Sequence, residues 1–140
     1  MPARTQIGRY KRDGKPPPKV GNSEAHLERV RQCSCIVCAK APRNEPHHLK
    51  RTDEQDERLK HGMANRTRDR WALPMCRKCH RAVEESRVGE EAWFAERQIM
   101  ARETAKALWR AHETGEGVEQ YERIVGNERA NARLKLRSVA

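Results

Sequence analysis

Two short cysteine pairs, Cys35-Ile-Val-Cys38 and Cys76-Arg-Lys-Cys79, constrain this chain more than any other feature. Each C-x-x-C turn offers two thiolates to one ion, and two such turns complete a tetrahedral four-sulfur zinc site. The fold must therefore bring together two points that lie far apart in the chain. In compact four-cysteine motifs the turns stand ~15–20 residues apart. Here the whole of residues 39–75 intervenes, and it carries Pro46-His47-His48-Leu49. An insertion of that size, holding adjacent histidines, points to a function placed between the two halves of a staple. Cys33 reads as a spare thiol, although its C-x-C spacing to Cys35 leaves the register open.

A staple is what the composition calls for. Of 140 residues only 36% are hydrophobic and 4% aromatic, and the mean hydropathy is −1.07. One small domain with a thin core is expected, and such domains commonly depend on a metal or a disulfide. Five cysteines is an odd number, no secretory signal is visible, and no apolar run approaches ~18 residues. These features favour metal-bound thiolates in a reduced cytoplasm over disulfides, and they give no reason to expect a membrane. The net charge of +10, with a pI near 9.8, suggests a polyanionic partner, nucleic acid before a membrane surface.

Residues 1–22, basic and rich in Gly and Pro, read as a flexible arm. Ser23 is a suitable N-cap for a helix through Gln32, in which His26 reads as a packed or surface residue. Glu45 to Lys50 and Trp71-Ala72-Leu73 read as short strands, the second ended by Pro74, with a long polar loop between them. A helix from Cys76 or Arg77 to about Arg87 places His80 and Glu84 at i and i+4 on one face. Helices over 90–98 and 102–113 follow, with Trp93, Phe94, Ile99, Ala105, Leu108 and Trp109 as core and His112 near a helix end, where a positive charge suits the dipole. Residues 23–114 thus form the domain. Residues 115–140 read as a charged tail, partly helical.

Adjacent side chains of a strand point to opposite faces, so His47 and His48 suit two different jobs, one binding a metal and one addressing a water. An imidazole with its ordinary pKa of ~6.5 serves either purpose at neutral pH. His80 and Glu84 on the helix face can complete the ligand set, leaving positions open for water and a phosphate oxygen.

Taken in order, Cys35-x-x-Cys38, Pro46-His47-His48, Asp69-Arg-Trp-Ala-Leu-Pro-Met-Cys76 and Cys76-x-x-Cys79-His80 resemble the HNH (His-Me finger) endonucleases. The likeness is nearest to small phage and prophage nucleases, including the RecA-dependent type, and runs from about His26 to His112. It implies a small α+β fold: a ββα-metal finger with a four-cysteine zinc knuckle pair, flanked by helices and basic flexible tails. It also implies metal-dependent hydrolysis of DNA phosphodiester bonds, by nicking or double-strand cleavage, leaving 5′-phosphate and 3′-hydroxyl ends. By motif, His47 and His80 would be ligands of the catalytic metal and His48 the general base. Asp69 would take the central position that orients the base or braces the loop. Two positions depart from the pattern. Relatives usually carry histidine where Glu84 stands, and a carboxylate suits a hard ion such as Mg²⁺ or Mn²⁺, with Zn²⁺ or Ni²⁺ as other candidates. Cys79, often histidine in relatives, makes Cys35, Cys38, Cys76 and Cys79 a cleaner zinc set.

Arg70, Arg81, Arg77 and Lys78 lie around this site in the sequence and suit phosphate contacts that position DNA without reading bases. With no recognition helix evident, weak sequence preference and steep salt dependence are expected. A recombination or phage protein is a candidate second partner. The competing readings are a non-catalytic zinc module that binds nucleic acid and an interaction protein that recruits other factors.

Overall fold

The structure is a computed structural model that describes residues 20–50 and 67–138. Most of the predicted basic arm and most of the predicted polar loop lie outside the described residues. Among the described residues the chain forms α1 (Glu24–Arg31), β1 (Glu45–His48), one 3-10 turn (Asp69–Trp71), β2 (Ala72–Met75), α2 (Arg77–Glu84), α3 (Glu90–Glu96), α4 (Ala101–Glu113) and α5 (Val118–Ser138). This is a small α+β fold with one antiparallel two-stranded sheet.

Capping sets the first helix. The Ser23 hydroxyl accepts from the His26 N–H at 3.1 Å, and α1 buries His26, Leu27 and Val30. The sheet pairs Glu45 with Met75, Pro46 with Pro74, His47 with Leu73 and His48 with Ala72. Leu49 N–H donates to Trp71 C=O at 3.1 Å, which fixes the phase of the ladder. Pro46 and Pro74 therefore face each other at a non-hydrogen-bonded pair, where neither needs an N–H. For that reason Pro74 does not end the second strand, as the sequence suggests, but sits inside it. Trp71 belongs instead to the 3-10 turn and is buried. The outward-facing Pro74 carbonyl accepts from Ile36 N–H at 3.0 Å, holding the first cysteine turn against β2.

β2 delivers the chain to Cys76, whose thiol caps α2 by accepting from Cys79 N–H. Gly89, at φ 88°, starts α3 in a conformation that side-chain-bearing residues rarely adopt. Trp93, Phe94, Ile99, Ala105 and Leu108 are buried as expected, whereas Trp109 is half-buried and packs edge-on to the His26 ring at 4.9 Å.

The C-terminal segment departs most from the sequence reading. Residues 118–138 form one continuous helix of 21 residues that packs on α1 and α4. Tyr121, Val125 and Ala132 make a narrow apolar stripe that is buried, while the other faces are charged. Its charge masks that stripe in composition. Side chains also fasten α5 to the first cysteine turn. The Glu122 carboxylate accepts from Ser34 N–H at 2.7 Å and from Ser34 Oγ at 2.6 Å, and Arg129 donates to Ser34 Oγ at 3.0 Å and Cys35 C=O at 2.7 Å.

Tyr121 also bonds to a buried histidine: its hydroxyl lies 2.6 Å from His26 Nδ1. Burial, followed by the neighbouring His112, brings the His26 pKa down from 6.5 to about 4. His112 is likewise held low by burial and by Arg29, which donates to its Nδ1 at 3.2 Å, so the helix-end charge suggested by its position is disfavoured. The unfolded chain takes up a proton on His26 that the folded chain refuses. This contribution to stability is present in full above pH 6.5, shrinks as pH falls, and is gone below about 4. It amounts to about 3 kcal/mol. Urea unfolding at pH 7 and pH 4.5 should show a steeper loss in wild type than in His26→Gln. Equal losses would show that His26 is not the source.

Candidate functional site

The two cysteine turns meet. The sulfurs of Cys35, Cys38, Cys76 and Cys79 all lie within 4.8 Å of one another, and those of Cys38 and Cys76 are 3.6 Å apart. A zinc–sulfur bond of about 2.3 Å implies sulfur–sulfur edges near 3.8 Å, so the group could hold a structural metal ion such as zinc. Backbone geometry shapes each turn. Ala39 N–H closes on Cys35 C=O at 3.0 Å with Ala39 at φ 67°, and Cys35 N–H donates to Lys40 C=O at 2.9 Å. In the second turn burial pushes the Cys76 thiol up, but hydrogen bonds from Cys79 N–H and from neighbouring thiols bring it down to about 7. Cys33 stands outside the group. It is buried, its thiol donates to Arg29 C=O at 3.3 Å, and burial raises its pKa to about 12.

A second cluster joins β1 to α2. His47, His80 and Glu84 each offer one ligand atom within the same 4.8 Å limit. Glu84 Oε1 lies 3.9 Å from His47 Nδ1 and 3.7 Å from His80 Nε2, and the two rings meet edge-on at 4.8 Å between centroids. His47 is 1% exposed, and its Nδ1 is buried without a hydrogen-bond partner. A bare nitrogen of that kind is costly unless something occupies its lone pair, and two imidazoles with a carboxylate form a usual ligand set for a divalent ion. The residues fit a metal. Lys50 Nζ holds the other Glu84 oxygen at 3.0 Å, and this ammonium keeps the Glu84 carboxyl below the usual carboxylate range.

His48, one residue on, points elsewhere, as strand alternation requires. Its Nε2 lies 2.9 Å from Asp69 Oδ1. Asp69 is itself fixed, since Oδ2 accepts from Ser23 N–H at 3.1 Å and its own N–H donates to Asn22 Oδ1 at 2.9 Å. The structure therefore brings together His48 and Asp69, predicted only from motif order, across the residues that separate β1 from the 3-10 turn.

Arg77, His80, Arg81 and Glu84 fall at i, i+3, i+4 and i+7 of α2 and share one helical face. Arg77 and Arg81 are exposed and flank the cluster. Lys78 is exposed but lies about a quarter-turn round the helix from Arg77. Arg70 is half-buried and donates its N–H to Gly21 C=O at 2.9 Å, with its side chain packed close over that glycine.

Glu45, Glu90 and Lys50 were not singled out from the sequence. Glu45 was findable: it stands two residues before His47 and so shares its face of the strand, and its Oε1 lies 2.8 Å from His80 Nδ1. Glu90 Oε1 lies 2.7 Å from His47 Nε2, but it arrives from another helix and reads in sequence as an ordinary acidic first-turn residue.

Fold and site thus define a small α+β domain built on a four-cysteine cluster, with a His-His-Glu cluster beside it. The family described as "Protein of unknown function (DUF968)" matches residues 14–115, and the chain belongs to that family. No curated protein and no solved structure matches it. No helix among the described residues is long and apolar enough to cross a membrane.

Proposed function

We propose that this protein is a metal-dependent endonuclease of the HNH (ββα-metal) type that hydrolyses DNA phosphodiester bonds with little sequence preference. The observation that carries the reading is the meeting of two units at the His47-His48 dipeptide. His47 joins His80 and Glu84 in a cluster fit for a divalent ion, and His48 is oriented by Asp69. The order β1, β2, α2 with the cysteine staple supports the same fold type, and zinc is the ion proposed for the four cysteines. Mg²⁺ or Mn²⁺ is the ion proposed for the second cluster.

With Nε2 directed at Asp69, His48 has Nδ1 for taking a proton from water. As the proton leaves, the water oxygen forms a bond to phosphorus and the bond to the 3′ oxygen breaks; that oxygen takes a proton from solvent water and His48 later returns its own to solvent, giving 5′-phosphate and 3′-hydroxyl ends. Asp69 holds the ring in place and stabilises the imidazolium. A divalent ion on His47, His80 and Glu84 would neutralise charge that develops on the phosphate and the leaving oxygen. Arg77 and Arg81, on the same face of α2, hold the neighbouring phosphates. A non-catalytic nucleic-acid-binding module is the second reading, favoured by the Lys50–Glu84 ion pair, which engages one oxygen of a ligand.

Supercoiled plasmid should be nicked or linearised with Mg²⁺, Mn²⁺ or Ni²⁺ and stay intact in EDTA. Intact plasmid with all three ions, under conditions where the protein binds DNA, would overturn the nuclease in favour of the binding module.

A further inference from the structure

We infer that Glu90 and Glu45 are positioning residues that decide which ring nitrogen His47 and His80 present to a metal ion. The inference rests on the metal-site reading above and deepens it. An ionised carboxylate only accepts hydrogen bonds, and a neutral imidazole carries a single N–H. Glu90 Oε1, 2.7 Å from His47 Nε2, therefore places the proton on Nε2 and leaves the lone pair on Nδ1. That Nδ1 is the buried, unpartnered atom 3.9 Å from Glu84 Oε1. Glu45 does the reverse to His80. Its Oε1, 2.8 Å from Nδ1, places the proton there and turns the Nε2 lone pair toward the same Glu84 oxygen, 3.7 Å away. Two rings held in opposite tautomers thus converge on one carboxylate oxygen.

Neither arrangement is a generic surface contact. The Glu90 side chain is 8% exposed, and its second oxygen accepts from Lys50 N–H at 2.8 Å, so the carboxylate cannot rotate without losing a backbone bond. It reaches His47 because Gly89 turns the chain at φ 88° into α3. The Glu45 side chain is 46% exposed, so its hold on His80 is the weaker of the two. Carboxylates that bond the far nitrogen of a metal-bound histidine fix the ring and raise its basicity, and their loss typically lowers metal affinity 10–100-fold.

The test titrates Co²⁺ into full-length protein whose cysteine site is already loaded with zinc, reading visible absorption bands and affinity. Wild type should bind one further Co²⁺. Glu90→Ala should bind it about 10–100-fold more weakly with altered bands, and Glu45→Ala should lose less. Glu90→Gln, which keeps an acceptor for the His47 N–H, should recover much of the affinity, separating positioning from damage to the fold. Glu91→Ala, on the same helix but outside the cluster, should match wild type. If wild type binds Co²⁺ and both Glu90 variants bind it equally well, the inference falls and the metal site stands. If wild type takes up no further Co²⁺, the metal-site reading falls and the inference with it.

Discussion

Serine in place of Cys76 should strip the protein of zinc and of its fold together. Cys76 contributes twice: its sulfur sits 3.6 Å from that of Cys38 in the four-cysteine group, and it caps α2 through Cys79 N–H. Zinc bound by such a group is worth about 10–16 kcal/mol at neutral pH, whereas a small domain's whole stability is about 5–15 kcal/mol. Losing one thiolate therefore removes a contribution as large as the total. The consequence should spread beyond the turn, because Ile36 within the first pair donates its N–H to Pro74 of β2, and β2 carries the pairing with the histidines. Native mass spectrometry should find one tightly held zinc in wild type and none in Cys76→Ser, and circular dichroism should show the variant unfolded. Cys33→Ser, outside the group, should keep its zinc. A folded, zinc-free Cys76→Ser would remove the staple from the account.

The second large effect concerns rate rather than stability. His48→Ala should slow single-turnover DNA cleavage by ~10²–10⁴-fold, the usual contribution of a positioned general base. Zinc content and DNA affinity should not change, since His48 belongs to neither metal cluster and its partner is Asp69. Fluorescence anisotropy with labelled duplex, beside the cleavage assay, separates the two quantities. Cleavage at the wild-type rate would place the base elsewhere, and a parallel loss of DNA binding would show that the imidazole acts as a contact.

Features set by near neighbours were legible in the sequence. Ser23 as a cap, His47 and His48 on opposite strand faces, and His80 with Glu84 on one helix face all follow from local periodicity, and the structure has each of them. The cysteine spacing pointed to the long-range closure as well. What stayed hidden was set by tertiary partners. Pro74 looks like a strand terminator until Pro46 is known to lie across from it. Glu90 looks like a dipole-matching residue until α3 is seen to set it against His47. The last helix looks like a solvated tail because its buried stripe is one residue wide. The basic surface is a similar case: Arg70, Arg77, Lys78 and Arg81 lie close together in the sequence, yet of these only Arg77 and Arg81 share the face of α2 that carries His80 and Glu84.

That last helix also binds the chemistry of the cysteine turn to the rest of the molecule. Glu122 and Arg129 grip Ser34 and the Cys35 carbonyl, so the backbone that aims a thiolate is partly held from α5. Linkage makes the relation reciprocal: whatever free energy a bound ion lends to the seating of α5, a seated α5 lends equally to retention of the ion. The helix and an ion bound by the cysteines would thus be two handles on one equilibrium. A protein or nucleic acid that drew α5 away would loosen the metal without ever touching a cysteine.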